Sequence, residues 1–191
     1  MKILKILLAV VAFLAIALVV YGSMNSPFTV ETRVTVDRSV EQAWGVFAAE
    51  DKLTEWITGL EKIEFVDGAE TEAVGNTYRL YFNEDGRETI VEEKVTAYVP
   101  NERMAFTIDH EMMYNETDIR FNSLGDQQCE VISVSKTEGK GMFMKGLMAL
   151  SKSSIVERQQ ADYDKLKALI EAEPPMEMKP EVSADSSLME G

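Results

Sequence analysis

Arg87-Glu88-Thr89-Ile90-Val91-Glu92-Glu93-Lys94-Val95-Thr96-Ala97-Tyr98-Val99, followed after Pro100-Asn101-Glu102 by Arg103-Met104-Ala105-Phe106-Thr107-Ile108-Asp109-His110-Glu111, is the stretch that sets the fold. Both runs have a period of two. In the first, Val91, Val95, Ala97 and Val99 share a face with Glu93; in the second, Met104, Phe106 and Ile108 share a face with His110. That alternation is the signature of half-buried strands, and the short turn-forming link between them predicts an antiparallel hairpin. Working outward, the same period recurs at 28–37, 61–67, 75–83, 115–123 and 128–138. The runs are punctuated by Asp67-Gly68, Asn83-Glu84-Asp85-Gly86 and Gly125-Asp126. Connections this tight join neighbouring antiparallel strands, so the centre of the chain reads as a meander.

The period changes to helical in two places. After the first strand, Ser39 and Gln42 make a capping-box pattern, and Val40, Ala43, Trp44 and Phe47 fall on one helical face; 51–56 reads as a second short helix. Beyond Gly141, Phe143, Leu147 and Leu150 form one stripe and Val156, Tyr163, Leu166 and Ile170 another, with Ser151-Lys152-Ser153-Ser154 as a kink between them. This long helix is expected to end near Glu173, before Pro174-Pro175. The predicted fold class is α+β: a helix-grip, in which a seven-stranded antiparallel sheet curls around one long C-terminal helix and leaves a cavity between them.

Ahead of this domain, Lys2 and Lys5 precede an apolar run from Ile6 to Tyr21 that contains no charge. Residues 3–22 are about the 20 needed to cross a bilayer as a helix. A cleaved secretory signal starts the same way, but Ala15-Ile16-Ala17 lies inside the apolar run and the later small-residue sites are poor, which favours an uncleaved anchor. The lysines before the span predict a cytoplasmic N-terminus and a single pass through the inner (plasma) membrane. The rest is then periplasmic or otherwise extracytoplasmic. The expected organisation is an anchor at 1–25, a domain at 28–172 and a disordered acidic tail at 173–191. The formal net charge of −14 argues against nucleic acid as a partner. The lone Cys129 rules out an internal disulfide, and no protein partner is legible.

The run Val36-Asp37-Arg38-Ser39-Val40-Glu41-Gln42-Ala43-Trp44, then Asp51-Lys52-Leu53-Thr54-Glu55-Trp56, then Gly75-Asn76-Thr77-Tyr78, resembles the opening of the START-like (SRPBCC) superfamily in its polyketide cyclase/dehydrase and lipid-transport branch. Arg38-Ser39 stands where that family usually has a small residue and Pro, and the membrane anchor is absent from many relatives. The resemblance implies a cavity for a hydrophobic molecule and does not imply catalysis.

The candidate chemistry follows from strand parity. If Val99 opposes Met104, the same register sets Glu93 directly across from His110, a carboxylate beside an imidazole in an apolar cavity, which suits acid–base work. Thr32, Tyr78 and Thr117 are predicted to point inward with hydrogen-bonding groups, and Leu80, Phe82, Val91, Phe106 and Ile108 to line the cavity wall. Phe143, Leu147 and Leu150 are expected to roof it. His110 is the only histidine, and no cluster at metal spacing accompanies it, so neither metal nor cofactor is expected. The readings in play are a membrane-anchored binder of one hydrophobic or amphipathic, lipid-like small molecule, a cyclase, dehydratase or isomerase using His110 and Glu93, and a non-catalytic interaction module for a membrane protein.

Overall fold

The computed structural model describes residues 2–69 and 72–175. Helix α1 (Lys2–Asn25) leads into β1 (Phe28–Val36), the short helices α2 (Val40–Phe47) and α3 (Glu50–Trp56), and then six strands. These are β2 (Leu60–Ala69), β3 (Glu72–Glu84), β4 (Arg87–Val99), β5 (Arg103–Asp109), β6 (Met113–Gly125) and β7 (Gln128–Gly139). Helices α4 (Gly141–Leu150) and α5 (Lys152–Ala172) follow. The seven strands form one sheet in the order β1-β7-β6-β5-β4-β3-β2, a meander with β1 returned to its far edge. Every neighbouring pair is antiparallel. The expected helix-grip is present. Residues 176–191, most of the predicted acidic tail, lie outside the described residues.

Burial in β1 alternates perfectly, with Phe28, Val30, Thr32, Val34 and Val36 inside. The main core sits where β1, β6 and β7 meet α2, α3 and α5. Trp44 packs edge-on against Phe121 and Tyr98 at ring separations of 5.2 and 5.5 Å, and Trp56 against Tyr163 at 5.8 Å. Leu166 and Ile170 of α5 are fully enclosed in this cluster. Glu173 and Pro174 are held against the domain as well: the Arg38 guanidinium donates to the Glu173 carbonyl, and the Gln42 amide to the Pro174 carbonyl at 2.8 Å.

Ser39 caps α2 as its sequence suggests, its hydroxyl oxygen accepting from the Gln42 N–H at 3.3 Å. Ser39→Ala should therefore cost about 1 kcal/mol in chemical denaturation, the usual worth of such a cap. An unchanged denaturation midpoint would mean the cap contributes nothing.

The C-terminal helix breaks within the Ser151–Ser154 stretch expected to kink it, with Ser151 closing α4 and opening α5. The β4–β5 register differs from expectation. Val95 opposes Phe106 while Ala97 opposes Ala105, so Thr96 is an extra residue in a bulge. The bulge swaps faces beyond it: Tyr98, not Ala97 or Val99, continues the inner face, opposite Met104. The hairpin also closes one residue tighter than expected, with Val99 opposite Arg103 and not Met104; together the two shifts set Glu93 opposite Ile108 and not His110, and β5 ends at Asp109.

Candidate functional site: an internal cavity

The concave face of the sheet, α3 and α5 enclose a cavity of about 720 Å³. Strand pairing determines which side chains reach it. One row runs across the sheet as Tyr78, Glu93, Ile108, Asn115 and Thr137, and the next as Val95, Phe106, Thr117 and Ser135. All nine line the cavity. Leu80 and Ile119 extend the apolar wall, Leu53, Trp56 and Ile57 supply the α3 side, and Ile155 and Tyr163 close it from α5. The wall is thus largely aliphatic and aromatic, with a polar seam on β6 and β7.

That seam is internally bonded. The Ser135 and Thr117 hydroxyls are 2.8 Å apart, Thr117 donates to the Asn115 side-chain oxygen at 2.8 Å, and the Asn115 amide donates to the Thr137 hydroxyl at 3.0 Å. One consistent direction of donation, from Ser135 through Thr117 and Asn115 to Thr137, satisfies the chain without external help. Two polar groups stand apart from it. The Trp56 indole N–H is buried and has no acceptor among the described residues. The Glu93 carboxyl is half-buried, facing the cavity, and desolvation pushes its pKa up from 4.5 to about 7. A carboxyl in that range is substantially protonated at neutral pH and serves either as a hydrogen-bond donor or as a proton acceptor.

One edge of the cavity is charged. Arg158 of α5 donates to the Thr58 carbonyl at 2.8 Å and pairs with Glu84, whose carboxyl it holds below the usual range. The Thr58 hydroxyl bonds Asp162, and Thr58 N–H donates to the same carboxylate at 3.2 Å. These contacts pin the middle of α5 to the turn before β2.

The sequence-predicted residues divide accordingly. Glu93, Tyr78, Leu80, Phe106, Ile108 and Thr117 line the cavity together. Thr32 is buried in β1, outside the cavity lining, because β1 packs directly on α5. Val91 and Phe82 share the inner face with Glu93 and Leu80 but lie outside the cavity lining, Val91 buried and Phe82 packed in a satellite cluster around Leu60 and Leu80. Phe143, Leu147 and Leu150 do not roof it: they stand exposed on α4, because the break at Ser151 leaves the roof to α5 alone. His110 lies in the loop past β5, where its backbone pairs with Met113 and its Nδ1 accepts from the Met112 N–H at 3.3 Å.

Several lining residues escaped the sequence reading. Ser133, Ser135 and Thr137 continue the inward parity of Cys129 and Val131, a signal that was there to be extended. Ile155, Arg158, Gln159 and Asp162 share one helical face, but three polar members made that stripe look solvent-facing. Among the described residues, no group of three His, Cys, Asp or Glu side chains is placed to hold a metal ion.

Residues 27–171 match the model of a family described as polyketide cyclase / dehydrase and lipid transport. The chain belongs to that family. Solved structures similar to this polyketide cyclase / dehydrase and lipid transport domain share its fold at low identity. The Zhui aromatase/cyclase from a Streptomyces species is 14% identical with a TM-score of 0.63, over 75% of this chain and 93% of its own. Norcoclaurine synthase from Thalictrum flavum, solved with dopamine and hydroxybenzaldehyde, is 15% identical with a TM-score of 0.56, over 81% and 93%. A Chromobacterium violaceum protein is 18% identical with a TM-score of 0.61, over 76% and 98%. No curated protein sequence matches the chain. The family's fold is that of a ligand-binding domain for hydrophobic molecules, and this member adds a helix, α1, long and apolar enough to cross a membrane.

Proposed function

We propose that this protein is a membrane-anchored binder of one hydrophobic or amphipathic, lipid-like small molecule, held in the cavity between the sheet and α5. The observation that carries the reading is the cavity itself: about 720 Å³, within the size range of ligand sites, with an apolar wall and few polar groups. Burial of apolar ligand surface would supply most of the affinity at roughly 25 cal/mol per Å². The Glu93 carboxyl and the unpaired Trp56 N–H would receive the ligand's polar end. Ile108→Trp tests this by filling the space between Glu93 and Asn115. Titration of the full chain in nanodiscs with a fluorescent fatty acid should show saturable binding that this variant loses while its melting temperature holds. Equal affinity in both would place binding elsewhere.

The anchor reading has α1 crossing the plasma membrane with Lys2 and Lys5 on the cytoplasmic side and the domain extracytoplasmic. Alkaline phosphatase fused after Asn25 should be active. Activity of a cytoplasmic reporter in its place would reverse the topology.

A second reading is favoured by the raised Glu93 pKa alone: proton transfer to or from a bound carbonyl compound, as in a cyclase, dehydratase or isomerase. Glu93 would be the acid/base, and His110, beyond the end of β5, would not orient it. Glu93→Gln should then abolish turnover while preserving ligand affinity, and turnover surviving in the variant would exclude the role.

A further inference from the structure

Helix α4 presents an apolar face that nothing among the described residues covers. Phe143, Leu147 and Leu150 are 57%, 39% and 58% exposed, and Met142 at the helix start is 70% exposed. In ten residues α4 carries a single charge, Lys145. A contiguous patch of large apolar side chains on a domain surface marks a contact with something apolar.

What lies beside that face says what the contact is. A methyl group at Gly146 would collide with the Leu18 carbonyl oxygen and side chain, and one at Gly22 with the Gly146 backbone. Helices α1 and α4 therefore cross backbone to backbone through glycine, a closeness that lipid-embedded helices favour because it maximises packing. Gly139 presses equally tightly on the Met144–Lys145 backbone, so α4 is wedged between the span and the end of β7. Leu18 and Gly22 are four residues, just over one helical turn, apart, about 6 Å along the axis, and both belong to the apolar segment. With α1 inserted, α4 is held level with the last turns of the span.

The charge pattern agrees. Between residues 140 and 152 there are three lysines, Lys140, Lys145 and Lys152, and no acid, in a chain of net charge −14. Lys140 pairs with Asp109 and Lys145 with Glu138 at 2.5 Å, which sets these heads on the sheet side of α4 and leaves the apolar side chains unaccompanied.

We propose that α4 is a second membrane element: with the last turns of α1 it lies in the outer interfacial layer of the bilayer. Phe143, Leu147 and Leu150 sit among the acyl chains, and the lysines at headgroup level. The domain is thereby docked on the lipid surface and does not swing on a tether. The inference rests on the membrane-spanning reading of α1. It brings one end of the cavity to the bilayer, because Lys140 N–H donates to the Met112 carbonyl at 2.9 Å, Met113 pairs with Gly139 just ahead of α4, Ile155 follows just after α4, and Met113 and Ile155 both line the cavity. The occupant of that cavity would then enter from the membrane.

The test places an environment-sensitive dye on the full chain through Phe143→Cys, in vesicles of phosphatidylcholine with a minority of phosphatidylglycerol. The native Cys129 is fully buried and will not label. The dye should shift to the blue, lose most of its emission to lipids brominated on their acyl chains, and resist aqueous iodide. The same dye introduced by Asp126→Cys, in the β6–β7 turn, should do the reverse. A dye introduced by Ala9→Cys in α1 reads the span separately. Bromolipid quenching at position 9 with iodide quenching at 143 overturns the docking and leaves the anchor standing. Iodide quenching at both overturns the anchor and the docking with it. Fatty-acid titration reads the cavity independently of either result.

Discussion

Glu93→Gln should stabilise the domain above neutral pH by as much as about 3 kcal/mol and leave it unchanged in acid. The carboxyl titrates near 4.5 when the chain is unfolded and near 7 in the fold, because the cavity wall desolvates its charged form. Below pH 4.5 the group is protonated in both states and contributes no difference. Between 4.5 and 7 the unfolded chain releases the proton while the folded one keeps it, so stability falls as pH rises. Above about 7 both states are ionised and the full penalty applies. At 1.36 kcal/mol per pKa unit, that penalty is about 3 kcal/mol. Glutamine keeps the shape without the charge. Trp44 and Trp56 are both buried, so intrinsic fluorescence during denaturation reports unfolding directly. The difference between parent and variant should grow from pH 4.5 to 7 and then level off. Parallel profiles would mean that Glu93 is solvated in the fold.

Leu166→Ala should cost about 2–5 kcal/mol, the range for removing a buried leucine and leaving a cavity behind. Leu166 is fully enclosed and packs into the cluster that holds α5 against the sheet, α2 and α3. With total stabilities of about 5–15 kcal/mol, this is a large share of what keeps α5 seated. Leu147→Ala, on the exposed face of α4, should leave the stability of the domain almost untouched. The pair is read by thermal melts of the two variants. A small loss at Leu166, comparable to that at Leu147, would place the core elsewhere.

The architecture was legible because its signals are local. Strand parity, the turn residues between strands, the Ser39 cap and the apolar stripe of Tyr163, Leu166 and Ile170 each act over a few residues, and each lies where its pattern predicts. The candidate site was legible only in part, because its geometry depends on events without a local signature. A hairpin that closes at Val99–Arg103 and a bulge at Thr96 each slide the β4–β5 register by one residue, and together they separate Glu93 from His110. Nothing in Val95-Thr96-Ala97 announces an extra residue, since a bulge is set by how the curved sheet must bend. The fate of Phe143, Leu147 and Leu150 was misread for another reason: the same apolar stripe serves a core, a cavity roof or a lipid-facing surface, and only the partner distinguishes them. The Arg158, Gln159 and Asp162 stripe shows the converse, polar residues that line a cavity wall.

Photo-cross-linking reads directly whether an apolar or amphipathic small molecule occupies the cavity. The full chain in membranes, equilibrated with a fatty acid carrying a diazirine in its acyl chain, is irradiated and digested, and the modified peptides are mapped. The account predicts adducts on residues that meet only inside the cavity, among them Leu80, Val95, Phe106 and Ile108, lost in Ile108→Trp and competed away by unlabelled fatty acid. Adducts confined to α1 and α4, unchanged by competitor or by that substitution, would contradict it.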